Sequence, residues 1–243
     1  MIRLFHVSDV HFGAEDTAAI AWFDSLVHAE QPDAIIMTGD LTMRARSAEF
    51  AAASKWLEGL KRPVTVEVGN HDLPLYNIFA RFFRPYGRYL KLEAMIEKPL
   101  EIRGVNVVPM KTTARFQLRD WSKGSVSDGS LARAVQGVRD ASPEAPTIVA
   151  CHHPLIEAGT TATAKTHNGA NALAALAEAG ADMVLSGHVH DPFDVRREVG
   201  GRSIRMVGAG TLSERVRSTR PSFNELQIEG REIDVVVREM PAE

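Results

Sequence analysis

Five polar clusters in this chain have the residue types and spacing to hold divalent cations: Asp9-Val10-His11, Gly39-Asp40, Gly69-Asn70-His71-Asp72, His152-His153-Pro154 and Gly187-His188-Val189-His190. Carboxylate and amide oxygens and imidazole nitrogens all ligate such ions. In Asp9-Val10-His11 the polar side chains are two residues apart, so at a strand end they point to one side and can share a cation. Taken alone that pattern is common on protein surfaces. Asp40 ends an apolar run, where a carboxylate can bridge two cations with its two oxygens or can simply cap a turn. In the third cluster Gly69 permits a tight bend, Asn70 offers a neutral oxygen ligand, and the His71 imidazole can serve as an acid. Gly187-His188-Val189-His190 supplies two imidazoles and is the strongest local signal.

The elements that must position these residues are short apolar runs of strand length, rich in Val and Ile: Ile2 to Val7, Ala34 to Thr38, Val64 to Val68, Thr147 to Cys151 and Met183 to Ser186. Each cluster sits at or just after the end of one run, and in an open α/β sheet chemistry collects at the carboxyl ends of strands. A chance scatter of nine histidines would not follow that order. Between the runs, Asp16 to Glu30 carries Ile20, Phe23, Leu26 and Val27 at the spacing of a helix with one buried face, and Ser47 to Leu60 forms a second helix before Pro63. The first third is thus β-α-β-α-β, which favours parallel strands joined by crossovers. Residues 74–98 read as helix broken by Pro74, Pro85 and Gly87; Arg103-Gly104 reads as the turn of a hairpin between Leu100–Ile102 and Val105–Val108. The polar segment Lys111 to Ser127 is expected to be a long loop and a substrate-facing lid. Helices are expected at Asp128–Ala141 and Ala170–Ala179, and turn-punctuated antiparallel hairpins from Phe193 to Val207 and from Phe223 to Val237.

The composition is that of a globular protein, with 44% hydrophobic and 24% charged residues, and fits one domain over residues 1–243. A formal charge of -3 gives no global attraction to nucleic acid or membranes. The single cysteine, Cys151, rules out an internal disulfide and fits a reducing compartment. No run reaches the length of a membrane span, and cleavage of a leader would remove Asp9 and His11, so a cytoplasmic protein is expected.

In this order the clusters resemble the pattern of the calcineurin-like metallophosphoesterases, D-x-H, G-D, G-N-H-[DE], H and G-H-x-H, over residues 9–190. The resemblance implies an α/β fold of two mixed β-sheets packed face to face and flanked by helices, in four layers. It also implies one metal held by Asp9, His11, Asp40 and His190 and another held by Asp40, Asn70, His152 and His188, with Asp40 as the bridge. His152 is preferred to His153 because it directly follows the strand; His153 is then a neighbour. Such oxygen and nitrogen ligands without thiolate suit manganese, iron, zinc, cobalt or nickel. With Asp9 and Asp40 offsetting two divalent ions, the centre keeps about +2 of charge and attracts phosphate; a metal-bridging hydroxide would then attack in line. By the same resemblance His71 would protonate the leaving oxygen and Asp72 would orient its ring. His6, His28 and His167 are expected to be structural or solvated, with only His167 in a loop near enough to meet substrate.

The expected partner is a small-molecule phosphate ester, first a phosphodiester of the cyclic-nucleotide or glycerophosphodiester type, as in bacterial enzymes of similar length and motif spacing. Protein phosphatases of the family continue the second motif differently: here Asp40 runs into Leu41-Thr42-Met43-Arg44. The alternatives are a phosphomonoesterase, a nucleotide-linked lipid pyrophosphohydrolase and a metal-poor protein-binding scaffold. No membrane or extended nucleic-acid module is indicated, and a homo-oligomer is compatible with the string. Arg115, Phe116, Arg119, Trp121 and Lys123 have the chemistry to meet phosphate or base, or to form a solvated loop; Arg81, Arg84 and Arg88 read as an exposed helix face. Arg215, Arg217 and Arg220 follow Gly208-Ala209-Gly210-Thr211, and their facing is not readable from sequence.

Overall fold

The computed structural model describes residues 1–73, 92, 102–114 and 122–242. In chain order the elements are β1 (Ile2–Val7), α1 (Thr17–Glu30), β2 (Ala34–Met37), α2 (Ser47–Gly59), β3 (Val64–Val66), β4 (Asn106–Pro109), α3 (Asp128–Asp140), β5 (Thr147–Ala150), α4 (Gly169–Ala179), β6 (Met183–Ser186), β7 (Phe193–Val199), β8 (Arg202–Gly208), β9 (Ser222–Glu229) and β10 (Glu232–Glu239). They form two five-stranded sheets, ordered β10-β9-β1-β2-β3 and β4-β5-β6-β8-β7. Both are mixed. β1, β2 and β3 run parallel, as do β4, β5, β6 and β8, while β9, β10 and β7 are antiparallel to their neighbours.

Successive strand residues face opposite sides, and the buried clusters follow that alternation. Phe5, Val7, Ile35 and Met37 pack against Phe23 and Val27 of α1 and Phe50, Trp56 and Leu57 of α2. Leu4, Ala34 and Ile36 point the other way and meet Ile148, Ala150, Met183, Leu185 and Val207 of the second sheet. That sheet's outer face, with Val149, Val184 and Met206, packs under Ala134 and Val138 of α3 and Leu173 and Leu176 of α4. Helix, sheet, sheet, helix is the result, and the apolar seam between the sheets brings the two sets of parallel strand ends to one place.

Local chemistry explains the helix starts. Asp16 caps α1 by accepting from the amides of Ala18 and Ala19, so it precedes the first turn; Ser127 caps α3 through the Ser130 amide. The expected hairpin around Arg103-Gly104 is corrected in part. Leu100 and Glu101 lie outside the described residues, Ile102 is in a turn, and the following strand β4 pairs in parallel with β5. The broken helix of residues 74–98 also lies outside the described residues, save Leu92, which is buried in the first core cluster.

A charged cluster fastens α1 to the first sheet. Arg3 of β1 and Arg238 of β10 each contact both Glu30 of α1 and Glu225 of β9. The Glu30 carboxyl is held below its ordinary value chiefly by Arg238. Burial alone would raise Glu225, but hydrogen bonds from Gln227, Arg3 and Arg238 outweigh it and lower that carboxyl too. A carboxylate depressed in the fold stabilises it above the ordinary pKa of about 4.3, and that contribution disappears as pH falls through the depressed value. Glu225→Gln is therefore expected to unfold at lower denaturant at neutral pH and to show a shallower loss of stability on acidification than the wild type, measured by denaturation midpoints.

Candidate metal centre

Asp9, Asp40, Asn70, His152 and His188 all lie just beyond the carboxyl ends of parallel strands, β1, β2 and β3 from one sheet and β5 and β6 from the other. The chain does not reach the centre in strand geometry. Asp9, His11, Asp40, His188 and His190 adopt left-handed backbone, with φ of 55°, 51°, 53°, 71° and 61°. The convergence of Asp9 with His11, and of His188 with His190, thus comes from tightly turned loops and not from the strand alternation expected from their spacing. Such conformations cost about 1–3 kcal/mol each for non-glycine residues and persist only where the surroundings hold them. Here the holding bonds are visible: the amides of Asp9 and His11 donate to the carbonyls of Gly39 and Asp40 at 3.0 Å, and Gly187 donates to the His152 carbonyl at 2.9 Å.

The donor atoms gather in two groups that share Asp40. Asp9 Oδ1 lies 3.2 Å from His190 Nε2 and 3.6 Å from His11 Nε2, and the two imidazole nitrogens are 3.2 Å apart. Asn70 Oδ1 lies 3.1 Å from both His152 Nε2 and His188 Nδ1. Asp40 Oδ2 stands between them, 3.8 Å from His11 Nε2 and 3.4 Å from His152 Nε2. The other carboxylate oxygens are already engaged: Asp9 Oδ2 accepts from the His188 amide and Asp40 Oδ1 from the His71 amide, both at 2.8 Å.

The residues present fit a pair of cations. Among the described residues, Asp9 Oδ1 and His11 Nδ1 are buried at the centre without a hydrogen-bond partner. His152 Nδ1 donates to the Thr38 carbonyl and His190 Nδ1 to the Arg215 carbonyl, both at 2.7 Å, which turns each Nε2 toward the centre, where a cation would displace its proton and take the lone pair. Electrostatics agree. Burial opposes charge on His152, yet Asp40 and Asp9 push its pKa up to about 9, and against burial Asp9 raises His190 as well. Burial would raise Asp9 and Asp40, but the imidazoles around them hold both well below the carboxylate range, His190 and His11 acting on Asp9 and His152 and His71 on Asp40. Burial keeps His11 and His188 neutral, His188 falling to about 3. The field at the centre therefore favours positive charge while two of its imidazoles, His11 and His188, stay unprotonated, as metal binding requires of a ligand.

The remaining expected residues are placed differently. His71 is half-buried at the rim, its ring edge-on to His11 with centroids 4.8 Å apart. Its orientation is not set by Asp72, as expected, but by the Met43 carbonyl, which accepts from Nδ1 at 2.8 Å. Asp72 is sequence-adjacent yet turned away, accepting from the amides of Thr42 and Gly69 and from the Thr42 hydroxyl at 2.9–3.0 Å. Burial and the charge of Asp40 push its pKa up to about 7. Asp72 ties the second motif's loop to the third. His153 is buried beside His152 and His188 with both ring nitrogens occupied, by the Thr112 hydroxyl at 3.0 Å and the Ser122 carbonyl at 3.2 Å. His6 is buried between Thr38 and Asn224, His28 bonds to the Asp24 carbonyl within α1, and His167 is exposed, bridged to Ser125. Arg115, Phe116, Arg119 and Trp121 lie outside the described residues, as do Arg81, Arg84 and Arg88; Lys123 contacts the Thr163 carbonyl. Sequence reasoning left Arg215 unplaced; the structure puts its guanidinium against His11 and His71.

The sequence profile of the calcineurin-like phosphoesterases matches residues 2–192, and the chain belongs to that family. It is 27% identical over 172 residues to a glycerophosphodiester phosphodiesterase of Enterobacter lignolyticus, a match covering 64% of this chain and 58% of that protein. It is 25% identical over 207 residues to a probable cyclic nucleotide phosphodiesterase of Synechococcus, covering 79% of this chain and 74% of that one. Its fold is similar to that of a dimetal phosphatase from Danio rerio, with a TM-score of 0.64 at 12% identity over 98% of this chain and 95% of the other. The described helices include none long and apolar enough to cross a membrane.

The motif glycines mark where the loops touch. A Cβ on Gly69 would overlap the Asp40 carboxylate, and one on Gly187 would overlap Ser8 Oγ and crowd Asp9 Oδ2. Gly187→Ala is expected to lower the divalent metal content of the reconstituted protein, measured by elemental analysis, even where circular dichroism shows the fold retained.

Proposed function

We propose that the chain is a dinuclear metal-dependent phosphoesterase. In this reading Asp9, His11, Asp40 and His190 hold one divalent ion, and Asp40, Asn70, His152 and His188 the other. One observation carries it: a single carboxylate oxygen of Asp40 stands between two separate sets of oxygen and nitrogen donors. When bound, the two ions supply Lewis-acid activation of solvent and of the phosphoryl group. The absence of thiolate from the donor set fits manganese, iron, zinc, cobalt or nickel.

The protein's own part is positioning and proton handling. Asp9 and Asp40 fix the negative charge that sets the centre's composition, and the Thr38 and Arg215 carbonyls hold His152 and His190 in the tautomer that faces inward. His71 is the group at the rim whose Nε2 can serve the leaving oxygen. With Nδ1 donating to Met43, Nε2 is the working atom; it accepts from Arg215 in the structure and takes up a proton before it can act as an acid. Two relatives named as phosphodiesterases support small-molecule diester hydrolysis as the reaction.

A metal-reconstituted screen of cyclic nucleotides, glycerophosphodiesters, nucleotide sugars and simple monoesters tests this reading; selective diester cleavage is expected, and cleavage of monoesters alone overturns the diester assignment. Asp40→Asn is expected to lose metal from both positions by elemental analysis. His71→Ala is expected to keep its metal and lose turnover on a diester with a poor leaving group by about 10²–10⁴-fold, and full activity would reject the acid role.

A further inference from the structure

We propose that Arg215 is the phosphate-gripping residue of this centre, its guanidinium donating to a non-bridging phosphoryl oxygen beside Asp9, His11 and His190. The inference rests on the phosphoesterase reading and adds to it the side chain that recognises the anion. Arg215 enters from the loop after β8, and that loop is fastened to the centre from both ends. The Thr211 hydroxyl donates to the Asp9 carbonyl at 2.6 Å, and the Arg215 carbonyl accepts from His190 Nδ1 at 2.7 Å. Between them Ser213 accepts from the Arg215 amide at 3.3 Å. The backbone of Arg215 is thus placed by the same residues that surround the donor atoms.

Its head group has no anionic partner among the described residues. Nη1 lies 3.3 Å from His11 Nε2, 3.2 Å from His71 Nε2 and 3.9 Å from Met43 Sδ, and no carboxylate pairs with it. The following arginines differ: Arg217 is exposed and Arg220 pairs with Glu239 at 3.6 Å. A guanidinium can only donate, and His11 Nε2 has one lone pair. Once that lone pair belongs to a cation, an Nη1 hydrogen loses its acceptor and is available to a phosphoryl oxygen. Arginine's planar fork of donors matches phosphate oxygens in geometry and charge.

The test titrates inorganic phosphate calorimetrically into the metal-reconstituted wild type, Arg215→Met and Arg215→Lys, with metal content measured on the same samples. Arg215→Met is expected to keep wild-type metal content and to bind phosphate about tenfold more weakly or worse, with Arg215→Lys recovering part of the loss. Phosphate binding by Arg215→Met at wild-type affinity overturns the proposal. So does a loss of phosphate binding that follows a proportional loss of metal in both variants, since that assigns Arg215 to supporting His190. A wild-type protein that takes up no divalent metal instead sinks the phosphoesterase reading, and it does so before any variant is compared.

Discussion

Two buried carboxylates set the terms for this molecule. Asp9 and Asp40 are 0% and 1% exposed, close to one another at the junction of two sheets, and no lysine or arginine pairs with either among the described residues. Burying one such charge is costly without compensation, and two in one place repel as well. The compensation is assembled from backbone amides and neutral or partly protonated imidazoles drawn from distant parts of the chain. It is incomplete at Asp9 Oδ1, and the centre as a whole has the donor groups to hold a cation.

The architecture makes this possible because both sheets contribute the same kind of edge. Parallel strands β1, β2 and β3 end beside parallel strands β5 and β6, and the apolar seam of Leu4, Ile36, Ile148 and Leu185 fixes how far apart those edges sit. The loops then abandon strand geometry at once. Left-handed turns at Asp9, His11, Asp40, His188 and His190 fold side chains back over the strand ends, and Gly69 and Gly187 let the loops approach to contact. Strain and close approach coincide with the polar donors, as expected where a site is over-determined by its surroundings.

Much of this is legible in the chain itself, for identifiable reasons. Strand runs such as Ile2 to Val7 and helix faces such as Phe23 and Val27 carry periodicities that survive into the fold. The five motifs name side chains whose polar atoms come together at the strand ends. What local pattern does not reveal is pairing across long separations. β9 inserts beside β1 across more than two hundred residues and β8, paired with β7, comes between it and β6, so the face-to-face stacking is implied by family resemblance and not by spacing. Asp72 shows the opposite hazard: chain adjacency to His71 suggested contact, but a tight turn sends the two side chains apart. Arg215 escaped because its neighbours His11 and His71 lie 204 and 144 residues away.

Each donor group draws on both sheets. Asp9, His11 and Asp40 come from the first and His190 from the second; Asp40 and Asn70 from the first, His152 and His188 from the second. An ion bound there would rivet one half of the sandwich to the other, and occupancy and cohesion would become linked quantities. Ligand present at a hundred times its dissociation constant adds about 2.7 kcal/mol to a folded state that alone can bind it. Chelation would then do more than silence a reaction: it would loosen the hinge line between the halves, and heat resistance would report how fully the protein is charged.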